Sequence, residues 1–355
     1  MCKTDVARGR ALLFLLLCCG RVSAQETHYE VTLGGEYLVT AYSFSSQHNA
    51  TGMSVEASKW YRMTADTGWV ALRRQPSFGL RAGLGITPRS ICGHRMGVTG
   101  MVRTPLWGIF EWEAGLGVSF YSRSGAIVTD TANVYISTLA TFMIDVGITA
   151  RLGDGYRMSL RLLHSSNGML HQPNRGLNYL QLGLHYALTD DPSPRYADVV
   201  SRDTLGMTQE VGFAMSTGLT TSRHSMQAGL FPCYDLSFNY ALYRSPTVAY
   251  GATIDLWYNG SHTWQLPRYY DTYPVPVYLG AQAYTEGFWG PLSIKLGVGY
   301  TFFASSRVLV PMYERVGVYY NFDRSYAGIA INAHGGQAEF VELTYGHRFR
   351  VVRRR

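Results

Sequence analysis

The chain has 355 residues, including 38 glycines, 26 tyrosines, 15 phenylalanines and 7 tryptophans, but only 15% charged residues and a formal net charge of +7. So much glycine and aromatic surface with so little charge disfavours a soluble α/β enzyme and suits tightly turned strands with aromatic girdles. No stretch approaches the roughly 18 uninterrupted apolar residues of a spanning helix, and a mean hydropathy near zero fits alternating apolar and polar side chains instead.

Residues 1–24 stand apart. Lys3, Arg8 and Arg10 precede the apolar run Ala11 to Cys19, and Val22-Ser23-Ala24 offers small residues for cleavage before Gln25, the pattern of a secretory signal peptide. A lipid-anchor motif at Cys18 or Cys19 fits less well, because Leu17 or Cys18 stands where a small residue is expected. Cleavage would leave a net charge of about +4 and remove Cys2, Cys18 and Cys19. Cys92 and Cys233 then allow one disulfide, but no disulfide framework and no zinc site.

From Gln25 onward apolar residues recur with the period of two that marks a strand with one apolar face. In residues 25–188 such rows begin near Tyr29, Met53, Phe78, Met96, Phe110, Val134, Tyr156 and Leu180, with Glu30, Glu36, Glu56, Arg81, Arg95, Arg103, Glu111, Glu113 and Asp145 on the opposite faces. Residues 189–209, with Asp190, Asp191, Pro192 and Pro194, read as a connection. Residues 210–349 then supply about eight more rows, beginning near Val211, Tyr234, Val248, Val275, Leu292, Val316, Tyr326 and Ala338. The last ends on the aromatic Phe349, and residues 350–355 form a basic tail, read as solvated.

Strands of about ten residues, apolar on one face and charged on the other, predict an all-β fold, a transmembrane antiparallel β-barrel. A soluble sandwich would use shorter strands of about five or six residues. About sixteen strands are expected in total, as one barrel in preference to two eight-stranded modules.

The strand from Tyr156 carries the chemistry. Tyr156, Met158, Leu160 and Leu162 share a parity with His164 and Ser166, so a base and a hydroxyl continue a row that should face lipid. Serine needs a nearby base to act as a nucleophile and donors for the oxyanion it creates. His164 is the candidate base, Ser166 the nucleophile, and Asn167, Gly168 and Asn174 the nearby donors. Asn178 precedes Leu180, Leu182 and Leu184 on the next strand and is placed to orient His164. An interfacial His and Ser at a strand end without catalytic role is the competing explanation.

The segment HSSNGMLHQPNRGLNYLQLGLHY, residues 164–186, resembles the active-site stretch of the outer-membrane lipid A 3-O-deacylases, the PagL-like acyloxyacyl hydrolase family. That family carries a His-x-Ser-Asn motif, a Gln-Pro-Asn-like turn and a further strand. The resemblance implies an eight-stranded barrel whose exterior His164 and Ser166 hydrolyse an ester-linked acyl chain of lipopolysaccharide without metal or other cofactor, with Asn167 or Asn174 near the oxyanion. One departure stands out: alignment through Gln172-Pro173-Asn174 puts Asn178 where the family holds an acidic residue. An amide oxygen can still accept from a histidine N–H, although it stabilises imidazolium less than a carboxylate.

The resemblance thus implies a bacterial outer-membrane serine esterase acting on lipid A after signal-dependent export, with a homodimer left open. The alternative is a non-catalytic barrel, a porin or structural envelope protein with a remnant site. In the second half His334-Gly335-Gly336 lacks a matching serine, and its parity turns His334 towards the lumen. Glu339 and Glu342, on opposite parities there, are expected to be structural or lumen-lining. No Gly-x-Ser-x-Gly, His-Glu-x-x-His or phosphate-binding loop occurs, and the basic residues form no coherent nucleic-acid face.

Overall fold

A computed structural model of the chain describes residues 25–39, 50–64, 68–87, 90, 92–123, 135–172, 174, 176–189, 208–221, 229–265, 276–304, 311–334 and 337–351. The expected signal peptide (1–24), most of the connection at 189–209 and the end of the basic tail (352–355) lie outside the described residues.

A strand forms at each of the sixteen expected rows. The first eight are β1 (Gln25–Val39), β2 (Ala50–Met63), β3 (Ser77–Ile86), β4 (Arg95–Pro105), β5 (Phe110–Tyr121), β6 (Ala140–Gly153), β7 (Tyr156–Ser166) and β8 (Leu177–Ala187), with a short helix α1 (Gly68–Leu72) between β2 and β3. The second eight are β9 (Thr208–Thr221), β10 (Leu230–Ser245), β11 (Val248–Asn259), β12 (Val277–Trp289), β13 (Leu292–Ala304), β14 (Met312–Phe322), β15 (Ser325–His334) and β16 (Gln337–Val351), with α2 (Ser261–Gln265) after β11.

The strands do not close as one barrel. β1 pairs antiparallel with β2 on one side and with β8 on the other, and β9 likewise pairs with β10 and β16, giving two closed barrels of eight. This corrects the expectation of a single sixteen-stranded barrel. Alternation is a local property that either closure satisfies, whereas the register Leu33↔Leu184 between β1 and β8 is what seals the first ring.

An eight-stranded barrel has an interior just wide enough for side chains, and the first barrel fills it with charge. Arg103 pairs through both terminal nitrogens with Glu30 at 2.8 Å and through Nε with Glu113 at 2.7 Å. Arg81 reaches Glu113 at 2.6 Å and Asp145 at 3.0 Å, and Arg161 joins Asp145 at 2.9 Å to Glu56 at 2.6 Å. Each charge has opposite-sign partners, which a dry interior requires. Near the far end the filling turns apolar, with Leu38, Ile136, Met143, Leu163, Leu177 and Tyr179 packed together.

The second barrel centres on Arg315, paired with Asp235 at 2.7 Å, Asp255 at 3.2 Å and Glu342 at 3.1 Å. Arg348 pairs with Glu286 at 2.8 Å, and β16 runs on through Arg350 to Val351, past the expected start of the basic tail. Glu339 and Glu342 are both buried despite their opposite parities. The register of β15 and β16 shifts between Asn332↔Phe340 and Ala333↔Ala338, so Glu339 is an extra residue in a bulge that resets which side chains point inwards. His334 is buried, as its parity predicts. Cys92 and Cys233 are buried thiols, one in each barrel, so the disulfide allowed by their number is not formed.

The barrels touch at both ends. At the short-turn end, Arg73 donates to the carbonyls of Phe288 (3.0 Å) and Thr247 and stacks on Trp289 at 4.3 Å. Burial pushes its guanidinium down to about 10, which leaves it cationic at neutral pH. Trp289 also donates to Thr104 Oγ1 at 3.1 Å and meets Trp112 edge to face. At the other end, the segment after β7 meets the ends of β9 and β16.

Candidate active site

β7 presents Tyr156, Met158, Leu160 and Leu162 outwards, while Arg157, Ser159, Arg161, Leu163 and Ser165 fill the lumen. Leu163 sits in the apolar plug and Ser165 Oγ bonds Ser119 Oγ at 3.0 Å. These inward anchors fix the strand's rotation and so turn His164 and Ser166 onto the outer wall.

His164 lies directly opposite Asn178 in the β7–β8 ladder, and Ser166 opposite Phe142 in β6. Opposed residues on one face bring their Cβ atoms to about 5 Å, within side-chain reach. His164 Nδ1 and Asn178 Oδ1 are 2.8 Å apart. With the amide oxygen facing the ring, Nδ1–H donates and Nε2 keeps its lone pair for a proton from a nucleophile. Gly176, at φ +71°, passes so close to this ring that a Cβ would lie 2.7 Å from His164 Cε1. Only glycine accommodates both the conformation and the approach.

Ser166, the last residue of β7, is 5% exposed. Its Oγ is met by the Gly168 amide at 3.4 Å. The chain turns over Asn167–Leu170, where Leu170 N donates to Asn167 O at 3.3 Å and Gly168 and Met169 both have φ +65°. Positive φ at both central positions is the mark of a type I′ turn. Asn167 is the organiser of this turn. Its Oδ1 accepts from Met169 N at 3.1 Å, its Nδ2 donates to Ser137 Oγ at 3.0 Å and His171 O at 2.8 Å, and its own N donates to Asn174 Oδ1 at 3.1 Å.

The structure therefore brings all six expected residues together in direct pairs: His164 with Asn178, Ser166 with Gly168, and Asn167 with Asn174. Asn167 spends its donors inside the loop, which leaves Gly168 N as the amide aimed at the serine. Sequence reasoning missed the segment behind the site. Ile136, expected at the start of the β6 row, is instead fully buried and bridged to Asn174, and Tyr135 O accepts from Gly176 N at 3.0 Å. No signal in the local alternation separates that segment from β6. Glu111, Glu113 and Asp145 all point into the lumen, away from His164. Among the described residues no group of histidines, cysteines and carboxylates is arranged to hold a metal.

The molecule is thus a tandem of eight-stranded β-barrels whose first member carries, on its outer wall, a serine and a histidine hydrogen-bonded to an asparagine amide. The chain belongs to the lipid A 3-O-deacylase and acyloxyacyl hydrolase family: residues 58–187 match the model described as lipid A 3-O-deacylase (PagL), and residues 208–351 match the acyloxyacyl hydrolase C-terminal domain. Among solved structures, the crystal structure of the outer membrane enzyme PagL is 19% identical, with 44% of this chain and 98% of that chain covered and a TM-score of 0.32. A triple mutant of Rhodopseudomonas blastica porin is 9% identical over 92% of this chain and 100% of that one, with a TM-score of 0.19. No curated protein matches the sequence.

Proposed function

We propose that the chain is an outer-membrane serine esterase that hydrolyses an ester-linked acyl chain of lipid A or lipopolysaccharide. The observation that carries this reading is the 2.8 Å pair of His164 and Asn178 on the same outer wall as Ser166. The apolar residues exposed around both barrels, such as Leu160, Leu162, Leu182 and Leu184, favour burial in a bilayer, where the acyl chains of the substrate also lie. Residues 1–24 would direct export.

In this mechanism Ser166 Oγ attacks the ester carbonyl while His164 Nε2 takes its proton, and Asn178 Oδ1 holds the Nδ1–H of the imidazolium. The Gly168 amide, with Asn174 alongside, faces the negative charge that develops on the carbonyl oxygen. Collapse expels the sugar hydroxyl, which takes the proton back from His164 and leaves the acyl group on Ser166. A water then attacks the acyl-enzyme with His164 again as base, releasing the fatty acid and regenerating Ser166. Neutral Asn178 orients the base without adding a charge, so turnover is expected to be slower than with a carboxylate there.

The test is mass spectrometry of lipid A incubated with purified protein. Loss of one acyl chain with the wild type and none with Ser166→Ala is expected. Intact acyl chains with both, under conditions in which a known deacylase works, would sink the proposal.

A further inference from the structure

The turn that presents the Gly168 amide is held from the second barrel. Thr221, the last residue of β9, donates to Met169 O through both its backbone N–H at 2.8 Å and its hydroxyl at 2.9 Å. The same hydroxyl accepts from Gln172 Nε2 at 3.4 Å. Val341 on β16, paired with Leu219 on β9, closes over the other side: a Cβ on Gly168 would sit 2.6 Å from Val341 Cγ2 and 3.2 Å from the Phe142 ring. Thr221 and Met169 are both buried.

This turn needs an external hold. Met169 is not glycine, yet its φ is +65°, a conformation that costs an ordinary residue about 1–2 kcal/mol. Donors to a developing oxyanion act well only when they are fixed before the reaction. Two hydrogen bonds to one carbonyl oxygen at the turn's second central residue supply that fixation, from a residue 52 positions away in another barrel.

Resting on the esterase reading of Ser166, we propose that the second barrel is a working part of the first barrel's site: Thr221 is a positioning residue that fixes the Asn167–Leu170 turn so that the Gly168 amide faces Ser166 Oγ. Val341 packs the turn from outside. The second barrel thus acts on the reaction without carrying catalytic residues of its own.

The experiment compares wild type, Thr221→Val and Thr221→Ser as full chains in detergent, with lipid A as substrate. Valine keeps the shape and loses the hydroxyl, so kcat should fall about ten-fold with KM changed by less than about two-fold, and serine should restore kcat. Hydrogen–deuterium exchange of the 166–172 segment should be faster in Thr221→Val and normal in Thr221→Ser. Wild-type kcat and exchange in Thr221→Val would overturn the proposal, as would a loss of kcat that serine does not restore. Should the wild type itself leave lipid A intact, the esterase reading fails, and exchange alone then decides the hold: faster in valine supports it, unchanged overturns it.

Discussion

His164 Nδ1 lies 2.8 Å from Asn178 Oδ1 across the β7–β8 ladder, so a neutral amide faces the ring of the proposed base. Asn178→Asp keeps the length of the side chain and adds a charge that stabilises imidazolium. It should raise kcat about ten-fold or more at neutral pH, while Asn178→Ala should lower it by a similar factor. Initial rates of acyl release for both variants check this, and an Asp variant no faster than wild type would remove Asn178 from the mechanism.

Ser166→Ala and His164→Ala should each reduce turnover by about a thousand-fold or more, and the double variant should be no worse than the slower single one. Groups that act as a unit lose their joint contribution when either is removed. Additive losses in a double-mutant cycle would indicate that the two side chains act independently.

Gly168→Ala meets two obstacles, a φ of +65° and the side chain of Val341. A loss of activity of at least about ten-fold is expected. Adding Val341→Ala should relieve the contact but not the backbone strain, so recovery should be partial. Full recovery would mean that the left-handed conformation is unimportant.

In the lumen of the first barrel, Arg103→Ala removes one of the two arginine partners of each buried carboxylate, leaving Glu30 with Arg157 and Glu113 with Arg81. Breaking a buried pair on one side costs about 3–5 kcal/mol. The expected readout is a lower midpoint in urea unfolding and in the heat-induced mobility shift of the barrel on gels. An unchanged midpoint would show that water reaches the network.

Cys92 and Cys233 are both buried and not joined in a disulfide, so a maleimide should label neither in the folded protein and both after denaturation without reductant. Labelling of neither after denaturation would instead reveal a disulfide.

Much of this was legible in the residues. The rows from Tyr29 to Phe349 mark all sixteen strands, because a strand with one apolar wall must alternate, and the parity of Leu160, Leu162, His164 and Ser166 puts the pair on the outer wall. The same parity argument placed Asn178 opposite His164. Glu339 and Glu342 are both buried, as expected of structural or lumen-lining residues, but only the bulge that adds one residue to β16 lets opposite parities point the same way. Parity failed at Ile136, which continues the β6 row in sequence but folds behind Asn174.

What the sequence determined by itself is therefore the set of strands, the wall that side chains face along an unbroken ladder and the candidate residues gathered at the end of β7, since these depend on neighbours two residues apart. What only the tertiary structure decided is the closure into two rings, the separation of the two cysteines and the hold of Thr221 on the turn beside Ser166. Those depend on register between segments distant in the chain, and a period of two carries no information about which distant strand will complete the ring.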